Sequence, residues 1–250
     1  MVRNLLLSCV LLLPASGEAV AAKKASIPPD PAADELMIAA GFLNHHPDLR
    51  YRRQALEAHR AGRFSQARTL FEKAAWYADK PSQAMLAEML WKGEGSAPDP
   101  ALAYAWMDLA AERQYGSLLV QRERYWKALD ESQRRVALEQ GEQVYARYGD
   151  AVAKPRLANV LRKARNKVVG SRTGFAGTVS VSISLGEVGE VTIPGSKFYD
   201  PRYWQPEQYW AWHDQVWDNL SKGVVHVGDA EKVPADPAVK PPRDGENKGD

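Results

Sequence analysis

The chain has a single cysteine, Cys9, among 250 residues. One thiol excludes an internal disulfide and any zinc site built from cysteines. Net charge is nearly absent too: 33 Lys and Arg oppose 31 Asp and Glu, a formal +2. A dedicated nucleic-acid binder carries a basic excess, so no nucleic acid is expected as a partner. Long apolar runs are also missing. The longest, residues 5–13, is broken only by Ser8 and falls short of the about 20 residues that a membrane-spanning helix needs. The chain as a whole is 45% hydrophobic and 26% charged, which is ordinary globular material with enough length for a buried core.

The start of the chain reads as a targeting segment. Arg3 supplies a positive charge, residues 5–13 an apolar stretch, and Pro14, Ser16 and Gly17 a break. Ala19, Val20, Ala21 and Ala22 then offer small residues for cleavage, so residues 1–22 are expected to be a signal peptide cut after Ala21 or Ala22. Residues 6–9, Leu-Leu-Ser-Cys, loosely match a lipidation box, but the apolar run continues past Cys9. Cleavage would remove the only thiol and leave no membrane span. This suits an oxidising, exported compartment, most simply the periplasm.

Beyond a Pro-rich lead-in, apolar residues recur at three- and four-residue spacing from Ala32 to about Lys167. The pattern predicts helices at 33–44, 48–60, 64–78, 82–92, 99–113, 117–128, 131–148 and 154–168, punctuated by proline, glycine and aspartate. Near Gly170 the character changes. Residues 178–185 alternate strictly, with Val179, Val181, Ile183 and Leu185 on one face, which predicts a half-buried strand. Residues 190–193 read as its hairpin mate, 206–220 as an aromatic helix, and 224–227 as a third strand. The Pro- and charge-rich residues 229–250 read as a disordered tail. The expected organisation is a helical domain over 23–169, a small α+β unit over 170–228, and the tail.

An internal repeat with a period of 36 aligns Ala67 with Ala103, Phe71 with Met107, and Ala74-Ala75 with Ala110-Ala111. Small residues let neighbouring helices approach closely. A helix pair of this kind cannot bury its apolar face alone, so units stack. The stretch from Trp91 through Gly93, Gly95, Asp99, Ala103 and Trp106 to Ala110-Ala111 resembles the Sel-one-like repeat: a G-x-G turn, an Asp, an A-x-x-W and an alanine pair. Gly93 and Gly95 permit left-handed backbone, and Asp99 can cap a helix that Pro100 opens. The unit at 48–81, with Gly62, Ala67, Phe71 and Ala74, looks like the related tetratricopeptide repeat. The resemblance implies a short α-α solenoid; with the hairpin and aromatic helix read above, the expected fold is mainly α, a short solenoid carrying a small C-terminal β-hairpin or sheet plus an aromatic helix. It also implies a noncatalytic scaffold or adaptor that binds another protein or peptide segment without a cofactor.

No catalytic motif of the G-x-S-x-G, H-E-x-x-H or S-x-x-K type occurs. His213 and Asp214 are sequence neighbours and diverge on a helix. His45 and His46 also point apart, and they read as a helix end rather than a metal pair. The tryptophans of the aromatic helix read first as core packed on the small sheet. Candidate partner contacts are Tyr51, Trp91 and Tyr104 on the repeats, and Trp212, whose ring faces away from Trp210 and Trp217 and is the one expected to be exposed. A basic stretch adds Arg162, Lys163 and Lys167. From Val152 to Gly186 seven basic residues face no acidic one, whereas residues 23–150 hold 18 of each. An alternative reading therefore makes the basic stretch 154–172 and the aromatic unit 198–217 a glycan- or lipid-binding face for an anionic envelope surface.

Overall fold

The computed structural model describes residues 30–168, 180–184 and 189–221. The predicted signal segment, Arg172, the strand residues Thr178, Val179 and Leu185, the candidate strand 224–227 and the tail 229–250 lie outside the described residues, as does the side chain of Lys167.

Eight helices come first: α1 Glu35–Ala39, α2 Pro47–Arg60, α3 Phe64–Ala75, α4 Lys80–Lys92, α5 Pro100–Ala110, α6 Gly116–Ala128, α7 Glu131–Tyr148 and α8 Asp150–Val168. A hairpin of β1 Ser180–Ser184 and β2 Glu190–Pro194 follows, then α9 Gly195–Phe198, α10 Pro201–Trp204 and α11 Pro206–Ser221. The fold is mainly α, built from antiparallel helix pairs that stack in sequence order, α2 with α3, α3 on α4, and α4 with α5.

Local chemistry sets the helix ends. Asp99 accepts the Leu102 N–H at 3.0 Å with Pro100 opening α5, and Asp79 caps α4 through Ser82 N–H. Asp130 and Gln133 form a reciprocal capping box on α7. The α4–α5 turn needs glycine. Gly93 has φ 74° and Gly95 has φ 82°, and a Cβ on Gly95 would lie 2.9 Å from the Phe64 backbone. The start of α3 is therefore packed directly against that turn.

Several predicted boundaries move. The predicted helix 99–113 ends as an α-helix at Ala110, with a 3-10 turn over Ala111–Arg113. The segment 33–44 is not one helix. Gly41, at φ 81°, ends α1 and starts a 3-10 turn over Phe42–Asn44. The third helix stops at Ala75 rather than 78, because Ala78 turns left-handed at φ 64°. Helix α4 starts at Lys80 rather than Ser82, since Pro81 fits its first turn. Helix α8 starts at Asp150 rather than 154, so Pro155 lies in its interior rather than in its first turn.

Two large apolar cores result, beside a small cluster of Ala101, Leu129 and Ala137. The first joins α2 to α7 and buries Ala67, Ala75, Ala103 and Ala110, with Phe71, Met107 and Trp106 filling the space between helices; Ala74 and Ala111 are buried as well. The second gathers Met37, Phe42 and Leu49, Leu157 and Leu161 of α8, Ile183 and Ile193 of the hairpin, and Phe198, Tyr203, Trp204, Tyr209 and Trp212. Phe42 is its centre: His46 stacks on it at 3.9 Å, and Phe198, Tyr203 and Trp204 meet it edge-on. In the hairpin Val181 pairs with Ile193 and Ile183 with Val191, which puts Ile183 and Ile193 on the buried face.

Candidate functional site

A cavity of about 650 Å³ lies against one face of α2, α4 and α6 and is walled by α11. On α4 its lining runs Pro81, Ala84, Met85 and Glu88, which is i, i+3, i+4, i+7 and so a single helical face. On α6 it runs Leu118, Gln121 and Tyr125, spaced i, i+3, i+7. Leu56, Phe71 and Met107 add apolar surface, and α11 contributes Trp212, His213, Val216 and Trp217. The polar lining is confined to Asp30, Arg52, Glu88, Gln121 and His213. A largely apolar concavity of this size accepts a bulky apolar group.

A buried polar lattice holds the wall in place. Arg52 donates to Asp79 at 2.8 Å and to Asp30 at 3.0 Å, spanning α2, the start of α4 and the first described residue. Tyr209 of α11 donates its hydroxyl to the Asp48 carboxyl of α2. Tyr115 donates to Asp214 at 2.5 Å, while Arg113 and Lys154 lie over the Trp210 ring at 4.9 and 5.4 Å. Buried Lys80 donates to Leu109 O at 3.0 Å and to Glu112 at 2.6 Å, and Arg113 donates to Asp150 at 2.7 Å. These bonds tie α4, the turn after α5, α8 and α11 into one frame.

Burial decides the charge states. Burial, with the Asp79 carboxylate next, pushes the Asp48 carboxyl up to about 7. His213 is held well below the usual imidazole range by burial and then by the Arg52 and Arg113 cations, so it is neutral. His46 lies at 3.0 Å from Phe42 O and 2.8 Å from Tyr203 O. A neutral ring donates to only one of these carbonyls, and burial brings the pKa down to about 4. His46 sits at the start of α2 rather than at a helix end, because the 3-10 turn delivers it there. Among the described residues no group of three or more His, Cys, Asp and Glu is placed to hold a metal ion. Among them, too, no helix is long and apolar enough to cross a membrane.

The sequence-derived contact candidates are dispersed. Trp212 is 3% exposed and packs against Tyr203 and Tyr209, which corrects the expectation of an exposed ring. The reason is that α11 buries Tyr209, Trp212 and His213 together, a neighbouring face to the one through Trp210 and Trp217. Trp212 nevertheless borders the cavity. Trp91 stacks on Tyr125 at 4.1 Å, and Tyr104 tilts against Trp126 at 4.8 Å. Tyr51 lies on another face, covered by Arg50 and Lys73. Arg162 and Lys163 are exposed on α8, away from the cavity. The aromatic unit contributes Phe198, Tyr203, Trp204, Tyr209 and Trp212 to the second core, so those rings offer no open shelf to a sugar. Sequence reasoning missed Leu56, Met85, Leu118 and Val216. The signal was present on α4, where a stripe through Ala84, Met85 and Glu88 runs opposite the face that includes Leu86 and Leu90.

No family model matches the chain, and no curated protein matches it. Among solved structures, the crystal structure of a protective antigen present in uropathogenic Escherichia coli strains, displaying an SLR fold, is similar. The identity is 21% and the TM-score 0.38, over 50% of this chain and 26% of that one. This chain thus spans about a quarter of that protein's length. At that TM-score the likeness carries no argument about function.

Proposed function

We propose that this protein is an exported, noncatalytic helical-repeat adaptor that docks an apolar segment of a partner protein in the cavity bounded by α2, α4, α6 and α11. The observation that carries this reading is the cavity itself: about 650 Å³, lined mainly by apolar side chains from five repeat helices and α11. Its rigid frame supports the same reading, because a preformed groove loses little entropy on binding. The polar groups near it serve as cross-ties between helices, and none forms a nucleophile with a positioned base. Export is supported by the character of residues 1–22.

A photo-crosslinking amino acid placed at Gln121, inside the cavity, should capture one dominant protein from the envelope fraction. The same group at exposed Glu123, on the opposite side of α6, should not. Met85→Arg should abolish the Gln121 adduct while leaving the thermal melt within a few degrees of wild type. Equal capture from both positions, or adducts with lipid or glycan alone, would sink the adaptor reading.

A further inference from the structure

A second groove runs along α3 and α7. One end is a cleft of about 580 Å³ lined by Arg68, Thr69, Gln140, Gln143 and Trp106. The other is a cleft of about 360 Å³ lined by Tyr51, Lys73, Trp76 and Tyr77. The two share Thr69, Glu72, Arg147 and Tyr148 and are therefore continuous. The α4 residues of this groove are Leu86 and Leu90, whereas the inner cavity takes Ala84, Met85 and Glu88. At 100° per residue these sets point to opposite sides of α4, so the two sites are separate.

The charge of this groove is predominantly positive, three cations to one carboxylate. Arg68, Lys73 and Arg147 line it, and none is in an ion pair with a described residue. The one carboxylate in the lining, Glu72, is engaged by the Tyr148 hydroxyl. The rings serve the cations. The Arg156 guanidinium lies 3.4 Å from the Trp76 centroid with Arg147 at 5.7 Å, and Arg50 and Lys73 lie 4.9 and 5.7 Å from that of Tyr51. Rings covered in this way are not free to stack on a sugar. They hold positive charge at the groove's edge. The groove's buried lining residues are Leu86, Leu90, Trp106, Val144 and Tyr148, while Ser65, Thr69, Gln140 and Gln143 stand along its sides and offer hydroxyls and amides to a peptide backbone.

We infer that this groove is a second docking site and takes an acidic, extended peptide segment of a partner protein. The span from Ser65 to Lys73 on α3 is about 12 Å at helical rise. At extended rise that length accommodates roughly four residues, enough to set two or three carboxylates against Arg68, Lys73 and Arg147. With an apolar site on one side of α4 and a cationic site on the other, the protein could hold two chemically different segments at once.

The test uses the full chain and a fluorescein-labelled octaglutamate peptide, with octaglutamine and an octamer of galacturonate as comparisons. Octaglutamate should bind at low ionic strength and weaken several-fold at physiological salt. Arg68→Gln with Lys73→Gln should weaken it at least tenfold. The exposed pair Arg162→Gln with Lys163→Gln should change it less than twofold, and Arg68→Lys should retain most of the affinity. Thermal melts of all variants confirm that they fold. Met85→Arg in the inner cavity should leave octaglutamate binding unchanged, which separates this site from the adaptor groove. Failure of octaglutamate to bind, equal loss from both double variants, or equally tight binding of octagalacturonate would each overturn the proposal. The first would remove the site, the second would make it diffuse charge, and the third would make it a general polyanion surface.

Discussion

Three buried titratable groups around α2 and α11 pull stability in opposite directions with pH. The His46 imidazole titrates near 4 in the fold and near 6.5 when unfolded. Between those values the unfolded chain binds the proton more tightly, so acidification destabilises the fold, and His213 adds the same sign. Asp48 works the other way. Its folded value of about 7 exceeds the unfolded 3.8, so the stabilisation is present below about 4 and is lost as pH rises through 7. His46 and Asp48 are each worth roughly 3–4 kcal/mol across their windows and oppose one another, while His213 adds to the histidine side. Asp48→Asn keeps an acceptor for the Tyr209 hydroxyl but removes the opposing contribution. The variant's melting temperature should therefore fall more steeply than wild type from pH 7 to pH 5. Parallel profiles would mean that Asp48 is charged in the fold.

The repeat elements depend on small residues at helix crossings and on glycine in the turns, and the two kinds of position fail differently. Ala103 and Ala110 are fully buried in the first core, so Ala103→Leu or Ala110→Leu should overpack the stack and cost about 1–3 kcal/mol. Denaturant melts that show no loss for either change would contradict that packing. Gly95→Ala meets the Phe64 backbone at 2.9 Å as well as a left-handed φ, whereas Gly62→Ala meets nothing within 4 Å. Gly62→Ala should thus cost about 1 kcal/mol, and Gly95→Ala clearly more. The pair measured side by side in urea separates backbone strain from collision. These positions were legible because glycine, alanine and Asp-Pro carry local conformational meaning. The cavity-lining face of α4 was harder to see, because Ala84, Met85 and Glu88 are individually unremarkable and acquire meaning only when another helix leaves them uncovered.

At the scale of the whole molecule, α2 belongs to both cores. Its Ala55 and Ala58 pack in the first, and its Leu49 in the second. The second core in turn needs the hairpin and α9 to α11. Deleting residues 180–250 would uncover Phe42, Leu49, Leu157 and Leu161, which are otherwise buried. The truncated chain should lose several kcal/mol and show exposed apolar surface, whereas the intact chain should unfold in one step with coincident far-UV and tryptophan signals. A two-step melt of the intact chain would show that the cores are independent.

The sequence by itself determined the helical periodicity, the repeat spacing, the Asp99 cap, the glycine turns and the hairpin, because each follows from interactions within a few residues. Only the tertiary structure decided that Trp212 is buried, that His46 is clasped between Phe42 and Tyr203 across 157 positions of chain, and that Tyr209 meets Asp48 across 161. It also decided where the two grooves open. The physical reason is that burial and cavities are properties of packed surfaces. Which side of an amphipathic helix is covered depends on partners that lie far away in the chain, and local pattern carries no record of them.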